Sequence, residues 1–377
     1  MIERIMLLDV LSAHPSLFIA AEINRPQGRK KGRRVKMRLV TFQRTGNSNA
    51  FDESAPVMPL FGVGAPMRET AGGDGFFSFF GEEVGILSKD GTQILPIANT
   101  GISYPDMNTL IADHIPEEMQ VLRAAAAAME RSVSGTENSD EMETLTVGTQ
   151  AKILSPIPVP VQDVICLGLN YTEHAEEAAV YSRESFTAKD RYPVYFAKRV
   201  NRSPADKDPV PAYADLVDSL DYEAELAVII GKDVKGISPE EVPACIFGYT
   251  ILNDFSARNL QTRHTQWYLG KSLDGYTPMG PCIVTADEFA FPPRLRISST
   301  VNGELRQNST TDMLIFGIDY IIADLSRAMT LRAGTIISTG TPRGVGMGFD
   351  PPKFLHAGDT VTCEIEGIGT LTNVISD

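Results

Sequence analysis

The sequence predicts an α+β, β-rich protein: a small N-terminal α+β domain followed by a larger mixed β-core with few helices. Three observations lead there. From about residue 151 onward the chain runs in short apolar, β-branched stretches separated by turn signals. One amphipathic helix interrupts them, Ile318 to Leu331, with Ile321, Ile322, Leu325 and Met329 on one face. Ahead of residue 150, a hairpin pattern sits beside an alanine-rich helix, and nothing there repeats as strand–helix–strand. A nucleotide-binding α/β sheet is not what this pattern describes.

Taken in order, residues 1–36 form a basic N-terminal extension with eight Arg/Lys against three acids. The run Arg25 to Arg38 has the composition of a nuclear or organellar signal. Glu3, Asp9 and Glu22 argue against a transit peptide, which avoids acids, so a disordered tail is the expectation. Residues 37–150 form the small domain with its linker. Arg38 to Phe42 is strand-like, and Glu83 to Leu87, the Lys-Asp-Gly turn at 89–91 and Thr92 to Pro96 make a hairpin. Pro116 to Ser132, with Ala124 to Ala128 inside it, is a helix, and the polar stretch Ser134 to Glu143 is a linker. Residues 151–377 hold strands at Val164–Leu167, Tyr222–Gly231, Phe247–Leu252 and Arg296–Val301. An Asn302-Gly303 hairpin turn and a terminal hairpin, Asp359–Glu366 with Gly369–Val374, complete them.

Composition narrows the function. A chain of 377 residues with 43 % hydrophobic side chains can build sizeable cores. Its net charge of −14 argues against a nucleic-acid partner and requires any site for an anionic substrate to be locally positive. Four cysteines lie in apolar stretches without CxxC spacing, which fits a reducing cytoplasm better than disulfides or a zinc site. The longest apolar stretch, Ile5 to Ala21, is broken by Asp9, His14 and Pro15, so no membrane span is expected.

The chemistry concentrates in a few segments. Glu223 and Glu225 share one strand face about 7 Å apart, and the run Leu226 to Ile230 that follows has the pattern of a strand buried on both faces. Glu-x-Glu alone is commonly a solvated face. Next to a buried run, and with Asp254 at the end of the following strand, it reads as three hard oxygen ligands. These suit Mg²⁺ or Mn²⁺, with Ca²⁺ also compatible, because buried carboxylates side by side need a cation. His174 and Glu177 lie three apart at the start of a short helix, a base with a carboxylate to orient it. Lys271, Arg258 and Gln261 share one segment and Lys198 borders an apolar strand, offering cations and an amide to a carboxylate or an oxyanion. Thr339 to Gly346 is a glycine-rich loop able to bring backbone N–H groups close to an anion, without the spacing of a P-loop.

In sequence order these segments resemble the fumarylacetoacetate hydrolase family. The matching residues are Gly168-Leu-Asn-Tyr171, His174-x-x-Glu177, Phe196-Ala-Lys198, Asp221-Tyr-Glu-Ala-Glu-Leu226, Ile230-Gly-Lys232, Gly248-Tyr-Thr250 and Asn253-Asp-Phe-Ser-Ala-Arg258. Gly270-Lys-Ser272, Pro278-Met-Gly-Pro281, Val301-Asn-Gly-Glu304, Gly340-Thr-Pro342 and Leu355-His-Ala-Gly-Asp359 continue the match. It spans roughly residues 160–377; the small domain matches loosely. Arg199 stands where the family more often has Pro. The additional histidine segment and aspartate ligand of the longer fumarylacetoacetases are not visible, so the chain is similar to the shorter branch of acylpyruvate hydrolases, oxaloacetate decarboxylases and hydroxymuconate-type isomerases.

The resemblance implies the family's mixed β-sandwich roll, a homodimer, and a divalent ion held by Glu223, Glu225 and Asp254. It also implies that His174 with Glu177 activates water and that Lys271 lies near the metal. Gln261 and Thr341 fall at substrate-contact positions, with Arg258 and Lys198 as further substrate-binding groups. The expected reaction is metal-dependent hydrolysis of a C–C bond in a 2,4-dioxo acid, an acylpyruvate or fumarylpyruvate-like anion, through a metal-stabilised enolate. Oxaloacetate decarboxylation and isomerisation of a hydroxymuconate-type acid use the same intermediate and remain alternatives; a non-catalytic metal-binding scaffold is the third.

Overall fold

The computed structural model describes residues 36–45, 81–134, 143–181, 192–264 and 266–377. The basic extension up to residue 35 and the linker at 135–142 lie outside the described residues. The chain enters with strands β1 (Arg38–Arg44), β2 (Glu82–Leu87) and β3 (Gln93–Pro96), then helices α1 (Met107–Asp113) and α2 (Pro116–Val133). Pro116 opens α2 where its missing N–H costs nothing, and the Glu118 carboxylate accepts from the Ile115 N–H at 3.2 Å. Buried alanines Ala125, Ala126 and Ala128 then let the helix lie close to the sheet.

Strands β4 (Leu145–Thr146), β5 (Ala151–Ile153) and β6 (Val164–Gly168) lead to helix α3 (Thr172–Tyr181), followed by β7 (Val194–Lys198), β8 (Pro209–Pro211), β9 (Leu220–Asp221), β10 (Ala224–Ile230), β11 (Ile246–Asn253) and β12 (Ser256–Ala257). Short helices α4 (Arg258–Arg263) and α5 (Tyr268–Lys271) precede β13 (Met279–Thr285), β14 (Arg296–Val301) and β15 (Glu304–Thr310). Helix α6 (Ile318–Ser326) and strands β16 (Ile336–Ser338), β17 (Thr360–Ile365) and β18 (Gly369–Ser376) complete the chain.

An 11-stranded sheet runs β4-β3-β2-β1-β13-β11-β10-β16-β6-β7, with β5 also paired to β1. It is continuous from the N-terminal strands into the C-terminal part through the antiparallel β1–β13 ladder. A five-stranded sheet, β15-β14-β17-β18-β8, packs on β10, β11 and β13. Every residue of β10 and β11 is buried, and their side chains alternate between two cores. Leu226, Val228 and Ile230 join the core between the sheets. Ala227 and Ile229 join the one covered by Leu110, Met119, Leu122 and Met129 of the N-terminal helices. The unbroken apolar run after Glu225 is thus a strand buried on both faces.

The β-rich α+β reading holds, and the Asn302-Gly303 turn has φ of 51° and 81°, as a two-residue hairpin between right-twisted strands requires. One boundary needs correction. Helix α6 stops at Ser326 rather than Leu331, and Met329 is 46 % exposed rather than on the buried face. Leu331 instead exchanges two backbone hydrogen bonds with Val234, each 2.9 Å, and the chain can reach that pairing only by leaving the helix. Among the described residues no helix is long and apolar enough to cross a membrane.

Candidate active site

The β10–β11 ladder builds the centre of the site. Ala224 is opposite Asn253 and Glu225 opposite Leu252, so Glu223, Glu225 and Asp254 converge where the two strands begin and end. Ligand oxygens of these three side chains lie within 4.8 Å of one another, and all three residues are buried. Backbone contacts fix them: the Asp254 N–H donates to the Glu223 carbonyl at 2.9 Å, and the Glu223 N–H to Asn253 Oδ1 at 3.0 Å.

Three cations surround the carboxylates, each from a different element. Lys271 at the end of α5 donates to Glu223 Oε2 and Asp254 Oδ2, both at 2.8 Å. Arg258 at the start of α4 reaches Glu223 Oε1 at 2.7 Å and Gln261 Oε1 at 3.0 Å. Lys198, fully buried at the end of β7, binds Asp254 Oδ1 and the Phe255 carbonyl. Burial pushes the Glu223 carboxyl up, but Lys271 and Arg258 outweigh it and hold the group below the usual carboxylate range. Burial depresses both ammonium groups; for Lys271 the charges of Asp254 and Glu223 outweigh it and raise the group, while Lys198 stays lowered.

Glu225 is treated differently. Its described partners are the Ser338 hydroxyl and the Gly340 N–H, the latter at 3.0 Å, with no cationic side chain among them. Burial, then the charges of Asp254 and Glu223, push its carboxyl well above the ordinary value. An all-carboxylate donor set with one buried member lacking a cationic partner fits a hard divalent ion, and Glu223, Glu225 and Asp254 would hold it.

On helix α3 His174 and Glu177 meet as their spacing requires, with His174 Nδ1 at 3.0 Å from Glu177 Oε2. His174 is 5 % exposed, and one loop ties the dyad to the carboxylates, with the Gly340 N–H on Glu225 and the Gly344 N–H on Glu177.

Residues 163–376 match the family described as fumarylacetoacetate (FAA) hydrolase C-terminal, well over half of the chain. The chain belongs to that family. Among curated relatives, oxaloacetate tautomerase YisK of Bacillus subtilis is 45 % identical over 227 residues, 60 % of this chain and 74 % of the relative. Among solved structures, a fumarylacetoacetate hydrolase from Exiguobacterium antarcticum superposes with a TM-score of 0.62 at 33 % identity, covering 80 % of this chain and 97 % of that one. A fumarylpyruvate hydrolase from Pseudomonas aeruginosa, in complex with Mn²⁺ and pyruvate, gives a TM-score of 0.51 at 30 % identity, covering 60 % and 91 %.

In this member of the fumarylacetoacetate hydrolase family the glycine-rich loop after β16 does approach anions, and they are the protein's own. Gly340 donates to Glu225, Gly344 to Glu177 at 3.0 Å, and Gly346 to Asp221 at 2.6 Å. Thr341 faces inward: its hydroxyl donates to the Ala224 carbonyl at 3.0 Å and accepts from Gln307 at 2.7 Å. Sequence reasoning assigned no role to Asp221, whose carboxylate binds Arg258 Nε at 2.9 Å as well as the loop. Its i, i+2 relation to Glu223 was the available signal. Gln307 and Ser338 carried none, because single polar residues in strands look like solvated positions until the packing is known.

Proposed function

We propose that the chain is a divalent-metal-dependent enzyme that hydrolyses a C–C bond of a 2,4-dioxo acid, releasing pyruvate through its enolate. The observation that carries this is the buried His174–Glu177 pair held by the same glycine loop that binds Glu225 of the carboxylate triad. Because His174 Nδ1 faces the Glu177 carboxylate, its proton belongs on that nitrogen, leaving Nε2 as the base. A bound divalent ion would polarise the 2-oxo group and offset negative charge on the enolate oxygen. His174 Nε2 takes a proton from water as its oxygen bonds to the distal carbonyl carbon. The C–C bond then breaks, releasing the distal half as a carboxylic acid and the other half as the enolate, whose carbon takes the proton from His174 to become pyruvate. Glu177, steadied by the Gly344 N–H, stabilises the imidazolium meanwhile. Lys271 and Arg258 offset part of the carboxylate charge that would otherwise repel an anionic substrate from a −14 chain.

A second reading is tautomerisation of an oxaloacetate-type dioic acid, favoured by the 45 % identity with the Bacillus tautomerase. It needs the same enolate and base but no attacking water. Pyruvate release from acetylpyruvate, coupled to lactate dehydrogenase, and decay of the ultraviolet absorbance of enol-oxaloacetate separate the two when run with Mn²⁺ and with EDTA. Metal-dependent pyruvate release supports hydrolysis; metal-dependent enol decay alone supports tautomerisation. His174→Ala should lower either rate by about 10²–10⁴-fold. No metal-dependent turnover of either substrate, or full activity in Glu223→Ala, would defeat the proposal. A homodimer is part of the same reading, tested by its mass in light scattering.

A further inference from the structure

We propose that Gln307 is a positioning residue for the Glu223–Glu225 pair, supplying the hydrogen-bond ladder that β10 lacks at its metal-facing end. The inference rests on the metal reading above. Ala224 sits between the two glutamates, and its N–H and C=O point away from β11, toward the side where β16 lies. Yet β16 pairs with β10 at Ala227 to Ile229, and the next backbone bond, Thr339 N–H to the Leu226 carbonyl at 3.0 Å, stops short of Ala224 because the chain has by then turned into the glycine loop. Two side chains take the place of the missing strand. Gln307 Oε1 accepts the Ala224 N–H at 3.1 Å, and Thr341 Oγ1 donates to the Ala224 carbonyl at 3.0 Å.

The two replacements are themselves joined. Gln307 Nε2 donates to Thr341 Oγ1 at 2.7 Å and to the Pro342 carbonyl at 2.8 Å, while Ser299 Oγ donates to Gln307 Oε1 at 2.8 Å. Gln307 is fully buried on β15, so the five-stranded sheet reaches through this amide to the peptide between the two glutamates. Since the Thr341 hydroxyl accepts from Gln307, its single proton is committed to Ala224, and the ring Ala224–Gln307–Thr341 closes. The same piece of β15 shapes the dyad. A Cβ on Gly344 would lie 2.0 Å from the Arg306 carbonyl, so only glycine lets the loop press against β15 with its N–H on Glu177. Both carboxylates project to one side of the Ala224 peptide, and tilting that peptide changes how well they converge on an ion. Gln307 therefore sets metal affinity without touching metal or substrate.

Gln307→Met preserves volume and removes every hydrogen bond of the amide. Thr341→Val breaks the ring from its other side and serves if the first variant fails to fold. Asn373→Leu is the control, because Asn373 is a buried amide of the same sheet whose contacts are the Ala205 and Asp208 carbonyls, away from the carboxylates. Full-length proteins are titrated with Mn²⁺ by calorimetry, and melting is recorded in EDTA. We expect Gln307→Met to weaken Mn²⁺ binding by at least about tenfold, as loss of groups orienting metal ligands commonly does. Thr341→Val should do likewise, and the double variant should be little worse than either single one, as for residues acting as a unit. Asn373→Leu should melt earlier with Mn²⁺ affinity unchanged. Wild-type affinity in Gln307→Met or Thr341→Val would overturn the inference. A wild-type chain that binds no Mn²⁺ would overturn the metal reading itself, and the positioning role with it.

Discussion

Replacing Lys271 by Met tests the electrostatics of the site most directly. The ammonium sits 2.8 Å from both Glu223 and Asp254 and is 1 % exposed, so its loss strands two buried carboxylates. Arg258 still faces Glu223 and Lys198 still faces Asp254, which limits the damage. Breaking a buried ion pair from one side costs about 3–5 kcal/mol. At roughly 2 °C per kcal/mol for a large domain, melting in EDTA should fall by on the order of 5–10 °C. The deficit has a definite pH dependence. Glu223 is held low in the folded protein, so it contributes stability that is present above its unfolded pKa, near about 4.3, and lost as pH falls through the folded value. Lys271 is the foremost of the charges holding it there, so the variant's deficit should be largest at neutral pH and shrink in acid. Saturating Mn²⁺ should recover part of it, because an ion on the carboxylates replaces the missing charge. Differential scanning fluorimetry in EDTA from about pH 2 to 8, repeated with Mn²⁺ near neutral pH, reads all three effects. A Lys271→Met protein that melts with the wild type in EDTA at pH 7 would refute this account of the site.

Glu225→Gln should melt at or above the wild type in EDTA, because a neutral amide replaces a carboxyl whose charged form is disfavoured by burial and two neighbouring carboxylates, while calorimetry shows Mn²⁺ binding lost. Because burial and two neighbouring carboxylates raise the Glu225 pKa, Mn²⁺ uptake should release protons and tighten as pH rises; equal apparent heats in buffers of different ionisation enthalpy would contradict this. Gly344→Ala, at φ 100° against the Arg306 carbonyl, should cost about 1–3 kcal/mol of stability and lower kcat with Mn²⁺ affinity retained, since it detaches the loop from Glu177. An unchanged kcat would detach that N–H from catalysis.

The site was legible in the sequence wherever chemistry coincided with periodicity. Glu223 and Glu225 could be placed on one face because a strand alternates, and His174 with Glu177 could be paired because a helix brings residues three apart together. Lys271 and Lys198 lie far from Glu223 and Asp254 along the chain, so spacing could not pair them; only the packing of α5 and β7 around the end of β11 does. The same holds for Gln307, whose role depends on where β16 leaves the ladder. The end of α6 was misplaced for a related reason. Residues 327–331 continue a helical pattern locally, but the pairing of Leu331 with Val234 overrides it.

The distribution of charge divides the acids of the candidate site into two sets. Asp221, Glu223, Glu225, Asp254 and Glu177 are gathered around Lys198, Arg258 and Lys271, and the pairing is uneven. Asp221, Glu223 and Asp254 take the cations. Glu225 and Glu177 are held by a hydroxyl, an imidazole and the backbone N–H groups of Gly340 and Gly344. Those contacts orient a carboxylate without neutralising it. Under the proposed mechanism each keeps its capacity for one more positive charge, Glu225 for a divalent ion and Glu177 for an imidazolium on His174. The glycine loop makes this possible, since N–H groups can hold two acids in place where a lysine would have satisfied them.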